Sequence, residues 1–182
     1  MARVCTRSGR RARGESGAVM VEFALVLPLL FLLIMGMIDF GNIYSNQISI
    51  RQGVREAARV GVVKSWGSAC SLNSFTGGMT PSSDIQNLMC TVKNRIGITP
   101  ASSIYTKVVF DPSYGLNNGL IVCAQMRAQS LSGFTTQFIS GTFLKSKVEM
   151  NIEQAAASET AGEEAPPSGA TWSWCTAAGS TP

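Results

Sequence analysis

The sequence predicts an α+β fold: one long N-terminal helix, apolar in its first half and amphipathic in its second, packed on a small antiparallel sheet. Three observations carry this. Twenty apolar-dominated residues run from Val19 to Ile38 with Glu22 as the only charge. An apolar seam at helical spacing continues beyond them with no proline until Pro81. After Pro100 the period changes to that of strands, rich in β-branched and aromatic residues.

The apolar block comes first. A helix needs about 20 residues to cross a bilayer core about 30 Å thick, so Val19–Ile38 is long enough to span. A secretory signal has a shorter apolar core followed by a small-residue cleavage site, and Gly36-Met37-Ile38-Asp39-Phe40-Gly41 is not one. Arg3, Arg7, Arg10, Arg11 and Arg13 precede the block, opposed within residues 1–17 by Glu15 alone. Arginines flanking a span stay in the cytoplasm, which places the N-terminus inside and residues from Asp39 onward outside. Two residues in the block are costly in lipid. Glu22 is a carboxylate that either has a partner or sits near enough to the interface to stay wet, at the positive end of the helix. Pro28 removes a helix hydrogen bond, either as a plain kink or for a function.

The seam that follows is Ile43, Gln47, Ile50, Val54, Ala57 and Gly61, one face of a helix that extends to about Val63, about 65 Å in all. Arg51, Arg55 and Arg59 form a stripe on another face and read as solvated. Residues 64–81 are rich in Ser, Gly, Asn and Thr and read as a loop. Ser82-Ser83-Asp84 offers an N-cap to a second amphipathic helix built on Ile85, Leu88, Met89, Val92 and Ile96 and closed by Gly97 and Pro100. Ile104–Phe110 and Leu120–Ala128 are strands joined through Asn117-Asn118-Gly119, hence a hairpin. Ser130–Gly141 is a short helix or an apolar loop, and Phe143–Glu153 a third strand. Residues 155–170 are a linker or tail. The pair Trp172 and Trp174 beside Cys175 points to a tail that docks back. The organisation is thus a basic cytoplasmic leader (1–17), a transmembrane helix (18–38), its amphipathic extension (39–63), an exported domain (64–154) and a C-terminal tail (155–182).

Composition excludes much chemistry. Only 14% of residues are charged, mean hydropathy is +0.17, and there is no His. The commonest general base and zinc ligand are therefore missing. No phosphate-binding loop, nucleophile elbow or C-x-x-C motif occurs. Nothing implies a cofactor or metal, and the chain reads as a non-enzyme. Beyond Ala18 the charges balance at ten of each sign, so nucleic acid is not an expected partner. Cys5 lies in the leader, whereas Cys70, Cys90, Cys123 and Cys175 lie in the exported part, where disulfides persist. Four cysteines allow three pairings. Cys70–Cys90 would close the loop before the second helix, and Cys123–Cys175 would staple the tail onto a strand.

Gly17-Ala18-Val19-Met20-Val21-Glu22-Phe23 reads G-x-x-x-x-E-F between a basic leader and an apolar helix. It resembles a type IV prepilin processing site. With Ala24–Pro28, Ile38-Asp39-Phe40-Gly41 and Val54-Arg55-Glu56-Ala57-Ala58-Arg59, the stretch from Gly17 to Arg59 resembles the TadE-like family of the tight-adherence (Tad, Flp pilus) system. The resemblance implies a minor pilin or pseudopilin supporting pilus assembly and surface attachment, with a pilin-like fold. It implies cleavage between Gly17 and Ala18 by a membrane-embedded prepilin peptidase, and assembly roles for Glu22, Phe23 and Pro28. The implied partners are that peptidase, other pilins or pseudopilins, the inner-membrane assembly platform and the lipid bilayer. The implied location is the inner membrane, with the C-terminal domain periplasmic or extracellular. The alternative is an uncut, single-pass anchored binding domain unrelated to pili.

Overall fold

The computed structural model describes residues 15–64, 69–78, 80–98, 103–111, 113–133, 135–154 and 158–176. Cys5 and the leader arginines lie outside the described residues. In order the elements are α1 (Glu15–Val62), a 3₁₀ turn at Thr76–Gly78, α2 (Ser83–Ile96), β1 (Ile104–Asp111), β2 (Gly119–Arg127), α3 (Thr136–Ile139), β3 (Phe143–Asn151) and β4 (Gly162–Glu163). All strand pairings are antiparallel, in the spatial order β3-β2-β1-β4. A long N-terminal helix on a small antiparallel sheet is the expected α+β arrangement.

Helix α1 is continuous through Pro28. Side chains from Val19 to Ile34 are all exposed, and burial begins only at Met35. The helix contains an 18-residue window of mean hydropathy 2.7, none of it buried, and is long and apolar enough to cross a membrane. Its second half behaves oppositely. Ile50, Val54 and Ala57 are completely buried and Ile43 packs against the same core. Burying one large aliphatic side chain contributes about 1.5–3 kcal/mol. Small residues on and beside the seam set how closely other elements approach. A Cβ on Gly53 would lie 2.9 Å from the Ile96 backbone nitrogen, and one on Gly61 would lie 2.8 Å from Leu120 Cδ2. Arg51, Arg55 and Arg59 point to solvent, with Arg59 3.8 Å from Glu56.

Helix α2 buries Ile85, Leu88, Met89, Val92 and Ile96 and ends at Gly97, whose φ of 68° is the left-handed cap that glycine adopts at no steric cost. Ser82 is its N-cap residue but makes no side-chain cap; its hydroxyl instead donates to Glu159. Helices α1 and α2 cover one face of the sheet. Ile104, Thr106 and Val108 on β1 and Val122, Ala124 and Met126 on β2 are buried, in the pairings Ile104↔Met126, Thr106↔Ala124 and Val108↔Val122.

The three expected strands are present, but the sheet has a fourth. Gly162–Glu163 lies within the region read as tail, and pairs with Lys107 and Val108 of β1. Glycine at 162 permits the close passage, since a Cβ there would meet Met89 Sδ at 2.8 Å and Pro81 at 3.0 Å. The chain then turns across the other face of the sheet. Trp172 and Cys175 pack on Ile121 and Cys123, joined by Tyr105, Val109 and Trp174. That is why β2 is buried on both sides over most of its length. The sulfurs of Cys123 and Cys175 are 2.06 Å apart and those of Cys70 and Cys90 2.14 Å apart, both pairs at bonding distance.

Candidate functional site

The residues singled out from the sequence fall into two groups along α1. Gly17, Ala18, Glu22 and Phe23 lie within the first three turns of the helix and are exposed, clear of the folded domain. A Cβ at Gly17 would meet nothing within 4 Å. Ala18 and Glu22 are four residues apart on one helix face, about 6 Å along the axis. An amine created at Ala18 would therefore stand one turn from the Glu22 carboxylate. Pro28 lies further along, where Phe31, Leu32 and Met35 form an apolar recess with Ser132 of the β2–β3 connection.

The second group forms where the exposed half of α1 meets the domain. Asp39 is completely buried although it follows Ile38, which is 45% exposed. Its Oδ2 accepts hydrogen bonds from the hydroxyls of Ser130 (2.7 Å), Ser132 (2.6 Å) and Thr135. Its Oδ1 accepts from the backbone amides of Leu131 and Ser132, each at 2.9 Å. The turn is braced by Gly133 N–H donating to Ser130 Oγ and by the positive φ of Gly133. Five donors around one carboxylate favour its charged form. The Ser132 and Thr135 hydroxyls hold the Asp39 carboxyl well below the usual carboxylate range, against the opposing pull of burial. Sequence reading placed Asp39 as the first residue outside the span and did not link it to this turn. The clue was the close spacing of Ser130, Ser132, Gly133 and Thr135, small donors around a glycine.

A second buried charge was also missed. Lys93 Nζ lies 2.6 Å from Glu164 Oε1, with both side chains fully buried. Glu164 also accepts from the Asn73 amide (2.6 Å), the Thr106 amide (2.7 Å) and the Thr106 hydroxyl (2.9 Å). This satisfies the carboxylate on both oxygens and ties α2, β1, the 69–78 loop and the C-terminal segment together. It is a structural cluster. Among the described residues no three His, Cys, Asp or Glu side chains converge as metal ligands would.

No curated protein and no solved structure matches the chain. The model of the TadE-like protein family matches residues 17–59, so the segment of α1 that carries both the Gly17–Glu22 motif and Asp39 is TadE-like.

Proposed function

We propose that this chain is a minor pilin or pseudopilin of a tight-adherence (Tad/Flp) type IV pilus or secretion system, supporting pilus assembly and surface attachment. The observation that carries the reading is the TadE-like match over residues 17–59, with Gly17 and Glu22 at the mouth of an exposed apolar helix. A TadE-like segment points to Tad pilus systems and to pilus-associated protein partners in general. The finer reading adds the following steps. Residues 1–17 are a cytoplasmic leader that a prepilin peptidase removes after Gly17. Residues 18–38 span the inner membrane, and the remainder lies on its outer side. The new Ala18 ammonium pairs with Glu22 of a neighbouring pilin, which resolves a carboxylate otherwise alone in lipid. Phe23 and Pro28 shape the helix surface for that assembly, and the assembly platform receives the mature subunit. The chain is a substrate of the peptidase and performs no catalysis of its own.

The test separates cutting from assembly. A peptidase acting at the membrane surface needs a small residue at the scissile position, and glycine leaves the backbone open. Gly17→Leu is expected to retain the leader. Glu22→Leu is expected to be cut normally and to accumulate unassembled in the membrane. The measurement is the N-terminal mass of membrane-extracted protein with and without a co-expressed prepilin peptidase. An N-terminus at Met1 or Ala2 under both conditions rejects processing and leaves the anchored binding domain as the better reading.

A further inference from the structure

The connection between β2 and β3, residues 128–142, contains no Asp, Glu, Lys or Arg. Its position relative to α1 is set by the five hydrogen bonds to Asp39, the first residue after the apolar block. From there it reaches back along the apolar helix, since Ser132 lines a recess with Met35, Leu32, Phe31 and Pro28. Met35 lies about 6 Å nearer the N-terminus than Asp39 along the axis. Among its described residues the connection also carries two large apolar side chains that are strongly exposed. Leu131 is 71% exposed, and Phe138, at 81%, is the most exposed large apolar residue in the described protein.

Eight backbone amides of this connection donate within the protein. The amide of Ala128 donates to Thr142, those of Phe138 and Ile139 to Thr135, that of Ser140 to Thr136 and that of Thr142 to Ile139. The Leu131, Ser132 and Gly133 amides are taken up by Asp39 and Ser130. Each amide already paired within the protein is one hydrogen bond that is not lost on leaving bulk water.

The geometry points to a lipid contact: residues 128–142 form a membrane-docking element that seats Leu131 and Phe138 in the headgroup–acyl boundary of the leaflet from which α1 emerges. This rests on the reading that Val19–Ile38 spans the bilayer. The occupant is lipid because the loop meets the span directly at Ser132, beside Phe31, Leu32 and Met35, with Asp39 registering one on the other. Outward Leu and Phe are side chains that insert at such a boundary, and the segment brings no charge whose desolvation would oppose it. The consequence is mechanical. The span, the Asp39 turn and the lipid contact hold the domain at a set orientation over the membrane.

The test uses the full chain carrying Cys5→Ser, with the four paired cysteines oxidised, reconstituted in phosphatidylethanolamine–phosphatidylglycerol nanodiscs. Single nitroxides are placed at Phe138→Cys, Leu131→Cys, Phe31→Cys and Leu116→Cys. All four are exposed positions, so labelling spares the core. Collision with oxygen, which concentrates in lipid, is compared with collision with a water-soluble nickel chelate. The expected result is an oxygen-to-nickel ratio several-fold higher at 138 and 131 than at 116, approaching that at 31. A lipid reading at 31 with an aqueous reading at 138 and 131 overturns the docking while leaving the span. Shielding of 138 and 131 from both reagents overturns it in favour of a protein neighbour. An aqueous reading at 31 overturns the span and the docking together.

Discussion

Asp39 is a single carboxylate on which the relation between the apolar half of α1 and the domain depends. Its hydrogen bonds reach the Ser130, Ser132 and Thr135 side chains and two amides, so losing the charge loosens a whole turn. The folded value lies below the unperturbed 3.8, which means the unfolded chain takes up the proton first as the solution is acidified. The contribution of Asp39 is therefore complete above about pH 4 and is lost as the pH falls through the folded value. Thermal melts of the solubilised chain between pH 3 and 6 should show this. The wild type is expected to lose Tm on the acid side more steeply than Asp39→Asn, and equal slopes would remove Asp39 as the cause. Glu164 poses a different problem, because its partner Lys93 is also fully buried. Removing one member of a buried pair strands the other charge, at about 3–5 kcal/mol. Glu164→Gln should lower stability in urea by about that amount. Adding Lys93→Met should recover part of the loss, since the orphaned ammonium goes with it.

At the level of elements, what was legible followed from period. The seam of α1, the five core positions of α2 and the three long strands each repeat often enough for burial to impose a pattern on the sequence. Strand β4 was not legible because two residues, Gly162 and Glu163, cannot show a period. They lie in the strand because Gly162 fits past Met89 and Pro81, and because Lys107 lies 2.6 Å from Glu163 across the pairing. The C-terminal segment is held to the outer face of the sheet by Cys123–Cys175 and by Trp172, whose indole N–H donates to the Glu164 carbonyl at 2.9 Å. Opening this bridge frees a loop of 52 residues' separation. Cys175→Ser is expected to cost about 2–4 kcal/mol. It should also expose Trp172, shifting tryptophan emission to the red. An unchanged spectrum and midpoint would mean that packing alone holds the segment.

For the whole molecule, the proposed orientation across the membrane can be tested without touching the fold. A periplasm-active reporter fused after Thr160 is expected to be active and one fused at Ser16 inactive; the reverse would invert the topology and remove the reason for stable disulfides. The amino-acid sequence alone determined the elements that repeat. A bare apolar helix runs into an amphipathic one, with a second helix and a hairpin with its third strand, because burial of one face writes itself into spacing. It also carried the Gly17–Glu22 motif, which is local. Only the tertiary structure decided that Asp39 is clasped by Ser130, Ser132 and Thr135, that Lys93 meets Glu164, and that the last described residues close the sheet and cover its outer face. The Asp39 and Lys93 contacts join residues 71 to 96 positions apart, and the Cys123–Cys175 bridge residues 52 apart. A polar residue read alone looks like a solvated one, and only the converging backbone shows which charges leave water together.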